Sequence, residues 1–442
     1  MNSPAELLEI AKYVERRARE LGADEVAAGV SRSVQTTLVR RDGKIEQASE
    51  ATSRGLVFSV LVDGKYSSHS TSDLRPAAIE SFLKQGVDAT RFLEEDRDHA
   101  LADGKLCGRG ATEEALDQYD PAYAKRTADE RARDVEALEV EVRRLEPPGV
   151  LSVATHVGDG VTDVARAMSN GFADTARDAW FVAGAEITLK DGERRPEASA
   201  FYASRYLSDL PSTAAVAEDA VARAKERIGS GPVESGTYTL VLANRAASRL
   251  LGMLAAPLSG AALHQNRSCL QGKLGEKIGS DVFTLIDDPF APRGLGSRAW
   301  DGDGLVAKAF PVVKDGVLEN YYIGTYYSRK LNVAVTTGGR SNWVVPPGKV
   351  PWETVVKGTP RAIYVDGFLG GNSNPVTGDF SFGIRGLLYE NGVPTRSLSE
   401  MNVSGNVLEV FHKLVACGTD VWPFSGVQSP TLVFDGIQFS GT

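Results

Sequence analysis

Between Glu25 and Val62 the apolar residues follow a two-residue period in four runs, Glu25 to Ser31, Val34 to Arg40, Ile45 to Ala51 and Leu56 to Val62. Asp42-Gly43 and Asp63-Gly64 punctuate them. An Asx-Gly pair between alternating strands tolerates the positive φ at both central positions that a tight hairpin needs. This pattern predicts an antiparallel meander and excludes a continuous helix here.

The residues ahead of the meander follow a different period. Ser3 and Glu6 form a capping box around Pro4, and Leu7, Ile10, Ala11, Val14, Ala18 and Leu21 make one apolar stripe that Gly22 closes. A second helix is expected from about Asp73, with Pro76 in its first turn and Ile79, Phe82 and Leu83 inward. A third starts at Thr127, where Thr127 and Glu130 repeat the capping-box spacing, and runs through Val135, Leu138, Val142 and Leu145 to Pro147-Pro148. Strands follow at Leu151 to Val157, Val161 to Ser169 and Trp180 to Leu189, then an alanine-rich helix from Pro211 to Ile228.

Helices and strands are segregated rather than alternating, so the expected fold class is α+β, with an antiparallel meander first and mostly antiparallel strands in the C-terminal part. A chain of 442 residues calls for two or three domains. Gly229-Ser230-Gly231-Pro232 is the best boundary, giving an N-terminal α+β domain over 1–229, with an irregular charged linker at about 91–124, and a β-rich domain over 230–442. The second domain opens with a strand at Tyr238 to Leu242, an N-cap at Asn244 and an apolar helix from Leu250 to Pro257. Two Asx-Gly hairpins follow, Val312 to Leu318 and Leu387 to Val393; shared turn chemistry explains their likeness as well as duplication does.

Composition narrows the function. A formal net charge of -9 argues against nucleic acid as a partner, since that binding is driven by clustered Lys and Arg. The run Met1 to Glu6 has no basic segment leading into an apolar one, and the apolar stretch Leu250 to Leu263 is interrupted by Pro257, Ser259 and Gly260. The expected location is the cytoplasm, away from the membrane. Cys107, Cys269 and Cys417 are scattered and odd in number, hence reduced thiols rather than a disulfide framework or zinc ribbon.

No nucleotide or hydrolase motif survives inspection. Gly294-Leu295-Gly296 and Gly302-Asp303-Gly304 lack the flanking strand and helix of a dinucleotide fingerprint, Gln271-Gly272-Lys273-Leu274 lacks a Ser or Thr after its Lys, and no Gly-x-Ser-x-Gly occurs. His69, His99, His156, His264 and His412 are too far apart to pair on one helix face. The fragment His264-Gln265-Asn266-Arg267-Ser268-Cys269 has the spacing of His-Glu-x-x-x-His. A five-residue offset is about 500° on a helix, about 140° net, so the ends share a site only on a distorted helix. Gln also cannot act as a base, and a polar loop is the expected identity. Asp287-Asp288 and Asp301, Asp303 lack calcium-loop spacing and are expected in solvated turns. The loop Gly370 to Ser381 suits the lining of a peptide groove and turn structure equally.

The strings Thr377-Gly378-Asp379-Phe380-Ser381, Tyr389-Glu390-Asn391-Gly392-Val393 and Val403-Ser404-Gly405-Asn406 resemble the TldD/PmbA family, once called modulators of DNA gyrase. Val313 to Val317, Tyr326 to Leu331 and Pro430 to Gly436 are similar to the same family, and the N-terminal helix and meander fit it. The resemblance implies a cytosolic two-branch heterodimer, a zinc-dependent peptidase acting on unfolded or small peptides. One branch carries His-Glu-x-x-x-His on the helix after the central strand and a downstream Cys ligand. Aligned on that motif, this chain has Gly252, Met253 and Pro257 at the first His, the Glu and the second His, and Phe424-Ser425-Gly426-Val427-Gln428 in place of the Cys loop. The segment near 245–260 is then a degenerate metal-motif helix.

That pattern implies the PmbA, or TldE, branch. The expectation is a non-catalytic subunit with no catalytic, cofactor-binding or metal-binding residues of its own, zinc residing in a TldD-like partner, and peptide held partly by strand addition. A peptide-binding or regulatory homodimer, and an enzyme with a different site, are the alternatives.

Overall fold

The computed structural model describes residues 3–442; Met1 and Asn2, the start of the N-terminal domain and of the run read for a leader, lie outside the described residues. Helix α1 (Pro4–Glu20) forms both halves of its capping box: Ser3 Oγ accepts from the Glu6 N–H at 3.3 Å, and the Glu6 carboxylate accepts from the Ser3 N–H at 2.8 Å. Leu7, Ala11, Val14 and Ala18 are fully buried. Strands β1 (Glu25–Arg41), β2 (Lys44–Val62) and β3 (Lys65–Thr71) follow. Asp42 and Gly43 have φ of 48° and 82°, and Asp63 and Gly64 have 51° and 74°, the left-handed pairs that the hairpins demand.

The four expected strands are therefore two long ones. Ser31, Arg32 and Ser33 stay extended and pair with Gly55, Arg54 and Ser53. These triplets interrupt the apolar period, and their Ser and Gly are frequent in turns, but their pairing with each other keeps both strands extended. The next helix, α2 (Pro76–Thr90), begins three residues later than expected, because Asp73 accepts from the Arg75 N–H and guanidinium instead of capping. The segment 91–124 holds only a short α3 (Glu113–Leu116) and two 3₁₀ turns. Then come α4 (Ala128–Leu145), β4 (Val150–Met168), β5 (Ala173–Leu189), β6 (Glu197–Ser204) and α5 (Thr213–Lys225).

The six strands form one antiparallel sheet in the order β3-β2-β1-β4-β5-β6. Val26, Ala28 and Val30 of β1 share a face with Ala165 and Ala167 of β4 and pack on α1 and α2; Val153, Ala185 and Ile187 pack on α4 and α5. Cross-strand partners point to the same side, so all four long helices cover one face. The opposite face, carrying Gly29, Arg166 and Met168, turns toward the C-terminal half.

That half runs β7 (Gly236–Leu242), α6 (Ala247–Gly252), α7 (Gly260–His264), β8 (Leu285–Asp288), β9 (Phe310–Lys314), β10 (Val317–Leu318), α8 (Thr325–Leu331), β11 (Asn342–Val344) and α9 (Trp352–Val356). It ends with β12 (Arg361–Ser373), β13 (Asp379–Glu390), β14 (Val393–Asn406), α10 (Val407–His412), β15 (Leu414–Cys417), β16 (Val427–Gln428) and β17 (Leu432–Ser440). A small sheet has the order β10-β9-β8-β11-β16. In the larger sheet, β14-β13-β12-β7-β17-β15, strand β14 also pairs with β17, so five strands close on themselves. Closure removes the free edges that an open sheet would have to protect. Leu240, Ile363, Phe382, Met401, Phe434 and Phe439 belong to the core that fills this half, while Val241, Ala362 and Val433 point the other way, under α9. The fold class is α+β, as expected. Among the described residues no helix is long and apolar enough to cross a membrane.

Candidate functional site

The strand β7 delivers the chain to the place where the resemblance locates the metal motif, and the local structure there differs from the expected helix. Helix α6 stops at Gly252, residues 253–258 are turns, and α7 restarts behind Ser259, whose hydroxyl accepts from the Ala262 N–H at 3.2 Å. Pro257 cannot continue a helix, and it breaks the one the apolar stretch suggested. Asn244 does not cap α6 either; its side-chain amide donates to the Asp420 carbonyl at 2.6 Å and ties the helix entrance to the segment before β16.

Around that entrance lies a cavity of about 480 Å³ lined by Arg223 and Arg245, Arg249 of α6, and Asp366 and Phe368 of β12. Asp366 is buried, accepts from Arg227 and forms an ion pair with Arg223 at 3.3 Å, while its Oδ1 has no hydrogen-bond partner. Arg245 bonds Asp219 at 2.8 Å and lies 4.3 Å from the Trp422 ring centre; Arg249 lies 4.7 Å from that of Phe382. Tyr202 donates to Asp219 at 2.8 Å, and burial followed by that carboxylate pushes its phenol up to about 12. Arg385 stands across from Gly367, where a Cβ would meet its guanidinium at 3.2 Å. Desolvation, then the charge of Arg227, holds Arg385 below the usual arginine range. Five guanidiniums thus gather at or beside this cavity, Arg223 and Arg227 paired with Asp366 and Arg245 with Asp219, and such forked donors suit a carboxylate ligand. Sequence reading missed this site because its arginines are spread from 223 to 385; only the i, i+4 spacing of Arg223/Arg227 and of Arg245/Arg249 hinted at it.

The other residues singled out from sequence fall elsewhere. His264 ends α7 with its ring 6.1 Å from that of Tyr327, while Cys269 lines a different cavity with Val376, Thr377 and His412, its N–H donating to the Pro375 carbonyl at 2.9 Å. The loop Gly370 to Ser381 and the Cys269 segment therefore meet, and His264 stays apart. Asp287 and Asp301 are not in solvated turns. Asp287 is 1% exposed and accepts from Tyr322 Oη at 2.6 Å and the Ser341 N–H at 2.8 Å; Asp301 is 3% exposed and accepts from Thr337 Oγ1 and the Gly338 N–H. They are structural acceptors tying distant loops together.

Comparison with known proteins places this geometry. Residues 235–441 match the PmbA/TldA metallopeptidase C-terminal domain, and residues 26–90 match PmbA/TldA metallopeptidase domain 1. A putative modulator of DNA gyrase from Bacteroides thetaiotaomicron is 35% identical over the whole of both chains and superposes with a TM-score of 0.95. The chain belongs to the PmbA/TldD metallopeptidase family. The metalloprotease PmbA of Escherichia coli O157:H7 is 25% identical over 424 residues, 95% of this chain and 93% of that one. TldE from Thermococcus kodakarensis shares the fold, with a TM-score of 0.86 at 21% identity over 98% of this chain and all of that chain.

The zinc that a PmbA/TldD metallopeptidase implies does not fit the residues present at the motif. Gly252 offers no side chain, Met253 packs its thioether against the core, and Pro257 is buried. Zinc wants imidazole, thiolate or carboxylate. Among the described residues no three His, Cys, Asp or Glu side chains gather to hold a metal ion. The cysteines are free thiols; burial pushes Cys417 up to about 11 and raises Cys269, which keeps both protonated and poor as ligands.

Proposed function

We propose that this PmbA/TldD chain is a non-catalytic, TldE-like subunit of a cytoplasmic zinc metallopeptidase complex, in which a TldD-like partner carries the zinc and the chemistry. One observation carries the reading: Gly252, Met253 and Pro257, the residues that align with the family motif, sit in a helix end and turn that offer no imidazole, thiolate or carboxylate to zinc. Water activation by zinc needs a first shell, and this segment supplies none. The chain's part is to enclose and hold unfolded or small peptides. The arginine cavity beside α6 suits a peptide carboxylate. Residues 44–54 of β2 are exposed and, among the described residues, pair only with β1, a long edge open to another chain's strand.

Purification of the full chain from its native host tests this reading. The expected result is a stoichiometric companion carrying His-Glu-x-x-x-His, with zinc in proportion to that companion. Recovery of a homodimer with no such companion favours a stand-alone peptide-binding protein and overturns the proposal.

A further inference from the structure

The face of the N-terminal sheet opposite the helices encloses, with the C-terminal half, a second cavity of about 320 Å³. Its floor is set by strand register: Arg166 of β4 stands across from Gly29 of β1, which stands across from Val57 of β2, and Met168 stands across from Ala27. One wall is a stack of three rings. His99 lies 3.7 Å from Tyr66 at 3° and 4.0 Å from Tyr326 at 25° between ring planes. The wall is braced, since Tyr326 donates to Asp96 at 2.8 Å and Lys330 bonds Asp96 and Asp98 at 3.3 and 3.1 Å. A volume near the lower end of the small-ligand range, apolar and preformed, is the setting in which one placed polar group decides what binds.

That polar group is Arg166. Arg131, Arg177, Arg205 and Arg227 each bond a carboxylate. Arg166 makes no hydrogen bond or ion pair among the described residues, and its Nε is sealed from solvent without a partner. Its nearest aromatic neighbour is Trp300, 5.8 Å to the ring centre. Asp301 and Asp303 attract it only from a distance, and both are engaged, Asp301 by Thr337 and Gly338 and Asp303 by the Thr325 N–H at 2.8 Å. The Thr325 hydroxyl, on the cavity lining, is also buried without a partner. Arg166 as a whole is part-exposed, but a guanidinium whose Nε is desolvated and unpaired costs stability, and such costs are retained where a ligand makes use of them.

The forked donors of arginine match a planar carboxylate. Glu25 and Asp303 line the cavity and Asp301 lies within electrostatic reach of Arg166, so a second negative charge on the ligand is repelled. We propose that this cavity binds a small monocarboxylic acid with a flat or apolar body, its carboxylate on Arg166 and its body between the sheet floor and the Tyr66–His99–Tyr326 stack. This holds whether or not the chain has a catalytic partner.

Calorimetric titration of the full chain with benzoate, glycyl-phenylalanine, the C-terminal amide of that dipeptide, and inorganic phosphate tests it. The expected result is binding of at least one of the two acids, no binding of the amide or phosphate, and a loss of at least tenfold in affinity in Arg166→Met. Benzoate alone marks a free acid as the natural ligand; the dipeptide alone marks a peptide C-terminus. The ligand-free Arg166→Met protein should melt no lower than the parent, because Met removes an unpaired charge. Val57→Trp, which fills the cavity from a half-exposed floor position, should abolish binding and decides the matter if Arg166→Met fails to fold. Binding unchanged in Val57→Trp or in folded Arg166→Met overturns the proposal, as does no binding of either acid.

Discussion

Replacing Asp366 by Asn removes one negative charge from between Arg227 and Arg223, with Arg385 close enough to feel both. Asp366 is 5% exposed and Arg227 is 4% exposed, so water cannot take over the lost interaction. Breaking a buried pair from one side costs about 3–5 kcal/mol, because the remaining charge stays buried. Asn keeps one acceptor oxygen and Arg223 is less deeply buried, which sets the expected loss at about 3 kcal/mol, or about two powers of ten in the folding equilibrium. Urea unfolding followed by tryptophan fluorescence reads it, since Trp422 lies against Arg245 at the same cavity. Sulfate should recover part of the loss by supplying the missing anion, whereas chloride at equal ionic strength should not. A loss below about 1 kcal/mol, the range of exposed pairs, or equal recovery by both salts would refute a buried, anion-accepting arginine cluster.

Asp159 is fully buried and accepts from Arg131 at 2.7 and 2.8 Å, with Arg126 at 2.8 Å; Asp159→Ala should destabilise the N-terminal sheet by about 3–5 kcal/mol in chemical denaturation, and a change under about 1 kcal/mol contradicts this. Burial holds His69, His99 and His156 below the usual imidazole range. The unfolded chain then binds their protons more readily, so this contribution is intact above about pH 6.5 and is lost as pH falls through that unfolded value toward the folded ones. Melting temperature should drop between pH 7.5 and 5.5, and by less in His69→Gln; a flat or rising profile argues against it. Grafting Gly252→His, Met253→Glu and Pro257→His should not create a tight zinc site, because the chain turns after Gly252 and a graft alone does not rebuild the helix; stoichiometric zinc that survives gel filtration would show that geometry is not the obstacle.

What was legible from sequence was local. The capping boxes at Ser3 and Thr127 and the Asx-Gly turns at 42, 63, 315 and 391 each specify their conformation within four residues, and all are found. Strand lengths were not, because Ser31 to Ser33 looks like an interruption until its partners Ser53 to Gly55 are known. Strand β6 was passed over because Ala198 and Ala200 are small; only their burial under α5 shows the alternation. The closure of β14 on β17 depends on pairing 402–403 with 439–440. Asp287 and Asp301 looked like turn residues because the groups that bury them, Tyr322, Ser341 and Thr337, lie 35 to 54 positions away. The PmbA/TldD family was readable from short strings, whereas the charge pattern of both cavities is assembled only by the fold.

In the proposed assembly the hydrolytic chemistry resides in the partner and not in this chain. Incubation of the purified, metal-analysed chain with a flexible peptide and added zinc, in the absence of any companion protein, separates the two possibilities. The expected result is substoichiometric zinc and no cleavage, with activity emerging when a His-Glu-x-x-x-His partner is added. Chelator-sensitive cleavage by the chain alone would contradict it.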